Sequence, residues 1–277
     1  MRRMAWSNKF RIGLTIFLTI LAVSLIAPLI LNRDPLAMEG MMYETPSGAH
    51  PLGTDNLGRD VLTELIYGTR TSLAIGFVAG IIAVLIGTTI GLGAGYFGGN
   101  IDNVLNTITN IFIVIPPILI LIIISISLQS RSLILTGVVL GITSWPWTAR
   151  AVRAQAQSLK GRQHIYTAKL NGENSMEIII KEIFPYLFSY IVMAFILQVS
   201  TGILNEAALS MLGLGPTNIA SLGTMLQWAL LGEATRLGAW WAFLPPVVVI
   251  TMITFSLYLA NSGMDEIVNP RLRGRNA

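Results

Sequence analysis

The sequence contains no cysteine among its 277 residues. This absence excludes disulfide bonds, thiolate nucleophiles and thiolate metal sites. The two histidines, His50 and His164, lie far apart and have no partner at metal-ligand spacing, so we expect no metal site. Charged residues make up only 12% of the chain, about half the share found in soluble globular proteins. So little charge argues against a soluble domain.

In place of charge, the chain has six long stretches, each of at least 18 residues, without a charged side chain. A helix of about 20 mostly apolar residues crosses the roughly 30 Å hydrocarbon core of a bilayer. Spanning segments of this kind are helical because lipid cannot hydrogen-bond an open backbone. The sequence therefore predicts an all-α membrane protein with six transmembrane helices, at Ile12–Asn32, Thr71–Ile101, Asn103–Ser130, Ser132–Ala149, Ile183–Asn205 and Leu237–Met264.

The first stretch belongs to a separate N-terminal part of the chain. A basic head precedes the apolar run Ile12–Leu31, whose 20 residues exceed the roughly 7–15 residues of a signal-peptide core. We interpret it as an uncleaved first span, followed by a polar outer segment. The predicted division is residues 1–70, with this span and the outer segment, and residues 71–277, with the main membrane domain.

The basic residues indicate how the spans are oriented. With the N-terminus inside, the cytoplasmic segments carry 13 of the 18 Lys and Arg residues and the outer segments carry five. Cytoplasmic loops are enriched in these residues, so we expect a cell-membrane protein with both termini cytoplasmic, and the net charge of +4 does not indicate nucleic acid. A seventh uncharged run, Ala207–Gly232, contains turn residues near its middle, and we assign it to an outer loop.

Several sequence patterns resemble catalytic or cofactor-binding motifs, but they lack the structural context that those motifs require. The run Gly93–Gly98 matches a dinucleotide-binding glycine pattern, but it ends an apolar span with no strand before it. No G-x-x-x-x-G-K-[ST] sequence exists for binding ATP phosphates. The two histidines are predicted in loops on opposite sides of the membrane, which excludes a nucleophile–His–carboxylate set. We therefore predict no bound cofactor and no catalysis by this chain.

The predicted spans also lack the ionisable residues that mark proton or ion relays. Glu206 is expected only at the outer end of the fifth span. This argues against a self-contained, proton-coupled transporter, and the lack of paired polar groups argues against a membrane-embedded enzyme. If the protein moves a solute actively, another subunit must supply the energy.

Glycines recur at every fourth position of the second span, at Gly87, Gly91 and Gly95. Residues at this spacing share one helix face. Small residues there let a second helix approach closely, which is how helices associate in lipid. The sequence predicts a helix-packing face at these positions.

The longest cytoplasmic segment, about residues 150–182, resembles the coupling segment of binding-protein-dependent ABC importer permeases. The family motif is written EAA-x3-G-x9-I-x-L-P, and here Tyr166–Gly172 is followed by Ile183-Phe184-Pro185 with fitting spacing. Tyr166 and Thr167 stand where Glu and Ala are usual, and Phe184 replaces Leu. Glu206-Ala207-Ala208 is a decoy, because no glycine follows at the right distance.

Three further stretches resemble the "C"-type permease of the dipeptide/oligopeptide/nickel subfamily. They are His50–Val61, Glu206–Gly215 and the tail Asn269–Gly274. The first holds the outer-segment motif, which consists of Gly53, Thr54, Asp55, Gly58, Arg59 and Asp60. We expect Asp55, Arg59 and Asp60 to order this segment by local ion pairs and caps. The resemblance covers nearly the whole chain.

The resemblance implies a type I ABC importer permease fold and a set of partners. These would be a paralogous "B"-type permease, two ATPase subunits that carry ATP and Mg, and an external solute-binding protein. A coupling helix between the fourth and fifth spans would contact the ATPase, through Tyr166, Thr167, Ala168, Leu170, Gly172, Ser175, Ile183 and Pro185. Peptides are the first expectation for the solute, with nickel chelates and oligosaccharides as alternatives.

Overall fold

The structure is a computed structural model that describes residues 7–127 and 132–268. The tail motif Asn269–Gly274 lies outside the described residues. The described chain forms helices joined by loops, with isolated bridges from Met38 to Arg59 and from Thr54 to Asp60. The helices are α1 (Asn8–Leu31), α2 (Val61–Phe97), α3 (Gly99–Val114), α4 (Pro117–Ser127), α5 (Leu133–Lys160), α6 (Gln163–Leu170), α7 (Ser175–Met211), α8 (Leu222–Leu231) and α9 (Trp240–Val268).

Within the described residues, four helices are long and apolar enough to cross a bilayer, namely α1, α2, α7 and α9. The pair α3 and α4 gives a fifth span if its two bent halves are counted together. Helix α5 falls short of the same criterion, because polar and basic residues occupy its second half from Arg150 onward. The all-α membrane architecture is therefore confirmed, whereas the count of six spans is not.

Three predicted boundaries were wrong. The second span, predicted from Thr71, belongs to a helix that begins at Val61, because the Asp60 side chain caps that helix by accepting a hydrogen bond from the Thr63 N–H at 2.9 Å. The fifth span begins at Ser175, eight residues before the prediction, since a capping box between Asn174 and Glu177 starts the helix there. The third span bends by 82° before Pro117. Residues preceding a proline avoid the helical conformation, and Ile115 is extended with ψ of 123°.

Helix α2 lies at the centre and packs against α5 and α7 through small residues. A Cβ atom added to Gly87 would come within 2.6 Å of the Thr148 Cβ, and one added to Gly91 within 2.6 Å of the Ala149 carbonyl oxygen. Gly95 lies equally close to Ala156. All three glycines of the predicted packing face therefore lie against one helix, α5, as close approach in lipid requires.

The helices α5 and α7 run antiparallel. Leu209 near the end of α7 packs with Val139 and Leu140 near the beginning of α5. At the opposite end, Ile183 packs with Leu159 near the C-terminus of α5. The two helices thus form a continuous pair from the outer loops to the coupling segment.

The run Ala207–Gly232 does not form a spanning helix. Its second half is α8, whose 10 residues extend about 15 Å, half the thickness of the hydrocarbon core. Gly213 and Asn218 have φ values of 78° and 59° in the turn that separates α8 from α7. Ser221 then caps α8 by accepting a hydrogen bond from the Thr224 N–H at 3.0 Å. This arrangement agrees with the loop predicted from the sequence.

Candidate functional site

The predicted coupling segment forms the short helix α6 and a sharp turn. The helix ends where the Gly172 N–H donates to the Lys169 carbonyl oxygen at 3.1 Å and the Glu173 N–H donates to the Ala168 carbonyl oxygen at 3.2 Å. Gly172 has a φ of 82° and no neighbouring atom within 4 Å of an added Cβ. The backbone conformation therefore requires glycine here, while the surroundings leave the turn open to a partner.

The two faces of α6 differ in exposure. Ile165 and Ala168 are buried in a cluster with residues of α5 and α7. Tyr166 and Leu170 are 65% and 72% exposed, and Thr167 is exposed beside them. The expectation that Ala168 allows close approach of a partner is therefore corrected: its small side chain packs α6 onto this chain instead. Ile183 is likewise fully buried, which assigns it to the internal cluster.

The coupling segment ends in a π-helical turn within α7, at Ile178–Ile183. Pro185 lies just beyond it, after Phe184, and because proline lacks an N–H, the helical hydrogen bond from position 185 to the carbonyl of Lys181 cannot form. Such turns often occur at functional sites. Ser175 is exposed at the beginning of α7, so the structure brings Ser175 and the exposed side chains of α6 to the same end of the molecule.

Four large apolar side chains are exposed at this end, and we call them the docking patch: Tyr166, Leu170, Met176 and Ile180. Each is more than 60% exposed. Exposed apolar side chains of this size are usually covered by a protein partner or by lipid. Lys169 and Lys181 are next to Leu170 and Ile180 in the sequence.

The outer-segment motif forms a tight loop that leads into α2. Its two glycines have positive φ, 68° at Gly53 and 76° at Gly58. The Asp55 carboxylate accepts hydrogen bonds from the backbone N–H groups of Leu57 and Arg59, both at 2.8 Å. Burial raises the pKa of Asp55, and these N–H donors and the Arg59 charge oppose that rise only in part.

Arg59 and Asp60 connect this loop to the helices. The Arg59 guanidinium lies 3.4 Å from the Glu64 carboxylate on α2 and 5.5 Å from the centre of the Trp228 ring on α8. Asp60 contacts the His50 ring at 3.1 Å and accepts from the Thr63 hydroxyl at 2.6 Å. Thr54 binds the loop to itself by donating to the Met41 carbonyl oxygen at 2.6 Å. The local pairs and caps expected from the motif are present.

Glu206, predicted at the end of the fifth span, lies before the end of α7, which continues to Met211, and it is fully buried. Its carboxyl accepts hydrogen bonds from the hydroxyls of Ser72, Ser210 and Ser221 at 2.8, 2.7 and 2.7 Å. Ser72 also accepts from the Leu222 N–H at 3.1 Å. We call this group the Glu206 network, and it joins α2, α7 and the beginning of α8.

Glu64, which is almost fully buried at the beginning of α2, is a second ionisable group inside a spanning helix. The helices are longer than the predicted spans, so they include carboxylates that the uncharged runs left out. Because the predicted spans were defined as runs without charged residues, every Asp and Glu was necessarily placed outside a span. Serines within apolar runs, such as Ser72 and Ser210, were the available signal for buried hydrogen-bonding partners.

A cavity of about 540 Å³ opens along one face of α5 and α7. Gln198 crosses the middle of this face and donates to the Ser144 carbonyl oxygen at 3.0 Å and to the Thr148 hydroxyl at 2.9 Å. Because the two helices are antiparallel, Asn205 lies at one end of the cavity and Arg150 at the other. The remaining lining comes from Phe112, Ile113, Pro117, Thr143, Ser144, Pro146, Trp147, Leu197, Thr201 and Tyr258.

The cavity is mostly apolar, with amide and hydroxyl groups between the aromatic side chains. Among the described residues, no cluster of three His, Asp or Glu side chains could hold a metal ion. The lining was not predicted from the sequence, although Thr143, Trp147 and Arg150 recur at helical spacing on one face. An elongated recess on one side of a single chain suits half of a shared pathway.

Comparison with known proteins places these features in a family. Residues 87–274 match the family described as binding-protein-dependent transport system inner membrane component. A putative peptide transport system permease protein of Brucella suis biovar 1 (strain 1330) is 32% identical, with 98% of this chain and 91% of that protein covered. The dipeptide transport system permease protein DppC of Bacillus subtilis (strain 168) is also 32% identical, covering 98% of this chain and 85% of its own length.

A solved structure shares the fold. A chain of the MetNI methionine ABC transporter, determined in inward-facing conformations, superposes with a TM-score of 0.59 at 23% identity, covering 75% of this chain and 95% of that chain. This likeness confirms the ABC importer permease fold. The family match covers more than half of the chain and the relatives cover nearly all of it, so this protein belongs to the binding-protein-dependent transport system inner membrane components, the permease subunits of ABC importers.

Proposed function

We propose that this chain forms half of the translocation pathway of an ATP-driven importer for di- or oligopeptides. The observation that carries the peptide assignment is the group of relatives at about 32% identity over nearly the full chain, which are named as peptide, dipeptide and oligopeptide permeases. The elongated cavity between α5 and α7, with its mixed apolar and amide lining, supports it. Such a lining accepts varied side chains while hydrogen-bonding a peptide backbone.

The proposed complex contains a paralogous "B"-type permease, two ATPase subunits and an external solute-binding protein. The chain itself performs no catalysis and binds no ATP, because it has no phosphate-binding loop. In this complex the docking patch on α6 and α7 is the surface that contacts the ATPase. Both termini are cytoplasmic, on the same side of the membrane as that patch. The "B"-type permease closes the open side of the cavity.

Coupling to ATP hydrolysis proceeds through the turn at Gly172. Closure of the ATPase dimer pushes on α6, and the buried side of α6 transmits the movement through Ile165 and Ala168 to α5 and α7. Because α5 and α7 line the cavity, a shift of this pair changes which end of the cavity is open. The six-residue separation between Tyr166 and Gly172 fixes the position of the contact on the ATPase.

The test compares two glycine substitutions in the complete reconstituted complex. A Gly172→Val substitution forces a β-branched residue to a φ of 82°, which costs about 1–3 kcal/mol locally, and we expect peptide-stimulated ATPase activity and uptake to fall at least tenfold, on the order expected for a displaced contact. Gly161→Val is the matched control, since Gly161 has a φ of −83° and no atom within 4 Å of an added Cβ.

Two results would contradict this proposal. If Gly172→Val leaves stimulated ATPase activity equal to that of Gly161→Val, the turn does not couple the subunits. If the chain purifies without ATPase partners and moves peptide into liposomes without ATP, the importer assignment itself is wrong and a self-contained transporter takes its place.

A further inference from the structure

Among the described residues that line the cavity, Arg150 is the one that carries a formal charge. The other polar lining groups are neutral, being the hydroxyls of threonine, serine and tyrosine and the amides of Gln198 and Asn205. Arg150 directly follows the predicted fourth span, so its guanidinium lies at the coupling-segment end of the cavity, where a cation costs less than at the centre of a bilayer. The uneven distribution of charge means that one end of the cavity is electropositive and the other is neutral.

Three arginines of the described chain lie against a carboxylate, and Arg150 is not one of them. Arg153, Arg59 and Arg236 each lie against a carboxylate, at 2.5, 3.4 and 2.7 Å. Arg150 instead donates from its Nη2 to the amide oxygen of Asn110 at 3.0 Å. This bond uses one of the five N–H donors of the guanidinium and leaves its charge without neutralisation. The side chain is also exposed at the cavity.

The fork of a guanidinium matches a carboxylate, which accepts two parallel hydrogen bonds from it. Every unmodified peptide carries one carboxylate at its C-terminus, whatever its side chains. We propose that Arg150 binds the C-terminal carboxylate of the transported peptide, while the neutral lining between Gln198 and Asn205 accommodates the rest. This inference rests on the proposed function, and it names the group of the substrate that this chain recognises.

The same chemistry disfavours a free metal ion as the solute, although not a nickel chelate, which brings its own ligands. A free divalent cation such as Ni²⁺ requires imidazole, thiolate or carboxylate ligands, and none is found among the described residues that line the cavity. The Arg150 charge would repel such an ion in addition. An oligosaccharide has no charge to pair with the guanidinium, so it leaves Arg150 without a role.

The position of Arg150 indicates when the contact forms. Arg150 lies six residues beyond Ser144 on α5, toward the coupling segment, whereas Asn205 lies seven residues beyond Gln198 toward the outer loops. At about 1.5 Å per residue, these displacements separate the two ends of the cavity by roughly 20 Å, which is the length of a short peptide. A peptide that enters from the outer end therefore meets Arg150 with its leading terminus.

Because this chain has no cysteine, a single Thr201→Cys substitution provides a reporter inside the cavity. The complete complex would be labelled with a sulfonate-bearing and a trimethylammonium-bearing thiosulfonate reagent, with Arg150 intact and after Arg150→Gln. We expect the ratio of anionic to cationic labelling rates to fall about fivefold in the Arg150→Gln protein, since a unit charge near 10 Å acts on both reagents with opposite sign. Arg236→Gln, an equal change of charge on the exposed α8–α9 loop, should leave the ratio unchanged.

A transport measurement with trialanine as the probe completes the test. Arg150→Gln should raise the KM for trialanine uptake about tenfold with the binding protein unchanged, while Arg150→Lys should recover part of the loss. An unchanged labelling ratio overturns the proposal. A changed ratio with an unchanged KM also overturns it, because Arg150 would then affect the electrostatic potential in the cavity without contacting the peptide. If the wild-type complex takes up no peptide, the proposed function fails instead, and the labelling result remains informative.

Discussion

Asp60 illustrates how one side chain holds two parts of the molecule together. It caps α2 through the Thr63 N–H and contacts His50 in the outer segment. We expect Asp60→Ala to lower the free energy of unfolding by about 1–2 kcal/mol, because the cap is lost, and to expose the outer segment to proteolysis. Asp60→Asn retains a capping oxygen and should change stability by less than half as much. Equal effects of the two substitutions, in detergent unfolding and limited proteolysis, would contradict the capping role.

Glu206 provides a second prediction at the scale of the residue. Replacing Glu206 by Ala removes the shared acceptor of three buried hydroxyls and leaves a cavity, so we expect a loss of about 3 kcal/mol in the free energy of unfolding. Glu206→Gln keeps the shape and one acceptor oxygen and should cost about 1 kcal/mol. Unfolding by SDS in mixed micelles measures both, with the exposed Glu39→Ala as control. A Glu206→Ala protein as stable as that control would show that the Glu206 network does not stabilise the fold.

For single residues, the sequence predicts the backbone conformation better than it predicts which other residues surround the side chain. The turn at Gly172 and the loop of Gly53 and Gly58 follow from local motifs, because backbone conformation depends mainly on near neighbours. The burial of Glu206 and Ala168 depends on helices that are distant in sequence. No local pattern indicates which side of α6 faces this chain and which side faces a partner.

The pairing of α2 with α5 allows a matched test at the scale of the element. An added Cβ at Gly91 would meet the Ala149 carbonyl oxygen at 2.6 Å, whereas one at Gly93 would come no closer than 3.6 Å to another helix, at the Leu105 Cδ1. Both positions lie inside the same helix, so the gain of about 1 kcal/mol in helix propensity on changing Gly to Ala is common to both. We expect Gly91→Ala to be less stable than Gly93→Ala by about 1–3 kcal/mol.

The comparison is read from the melting temperatures of the two purified variants in one detergent. Equal melting temperatures would mean that α2 and α5 separate easily and that the four-residue glycine spacing has no packing role.

The lengths of the helices were poorly predicted from the distribution of charged residues. Uncharged runs omit the polar turns at helix ends, and this is why α2 and α7 extend well beyond the predicted spans.

For the molecule as a whole, the proposed orientation can be tested by accessibility. In right-side-out vesicles, an impermeant thiol reagent should label Met41→Cys and Thr217→Cys in the outer segment and the α7–α8 turn, but not Gln163→Cys beside the coupling helix. Inverted vesicles should give the reverse pattern, and the parent chain, which has no cysteine, gives the background. Labelling of Met41→Cys and Gln163→Cys from one side would contradict the orientation.

The overall architecture was accessible from the sequence because the bilayer restricts it so strongly. Long uncharged runs permit few structures other than packed helices, and the motifs around Gly172 and Asp60 identify the family. The cavity could not be predicted in the same way. Its lining combines α3, α4, α5, α7 and α9, and only the packing of the helices brings these residues to one face.

The Glu206 network also constrains the order in which the protein is made. Ser72 is synthesised 134 residues before Glu206, whereas Ser221 follows it by 15 residues. When α7 enters the bilayer, its carboxyl therefore meets one partner that is already in place and waits for another that is still being synthesised. The ends of α2 and α7 that share this network can be fixed only after α8 has emerged and folded back. This end of the molecule therefore cannot close until the chain has been synthesised beyond Ser221.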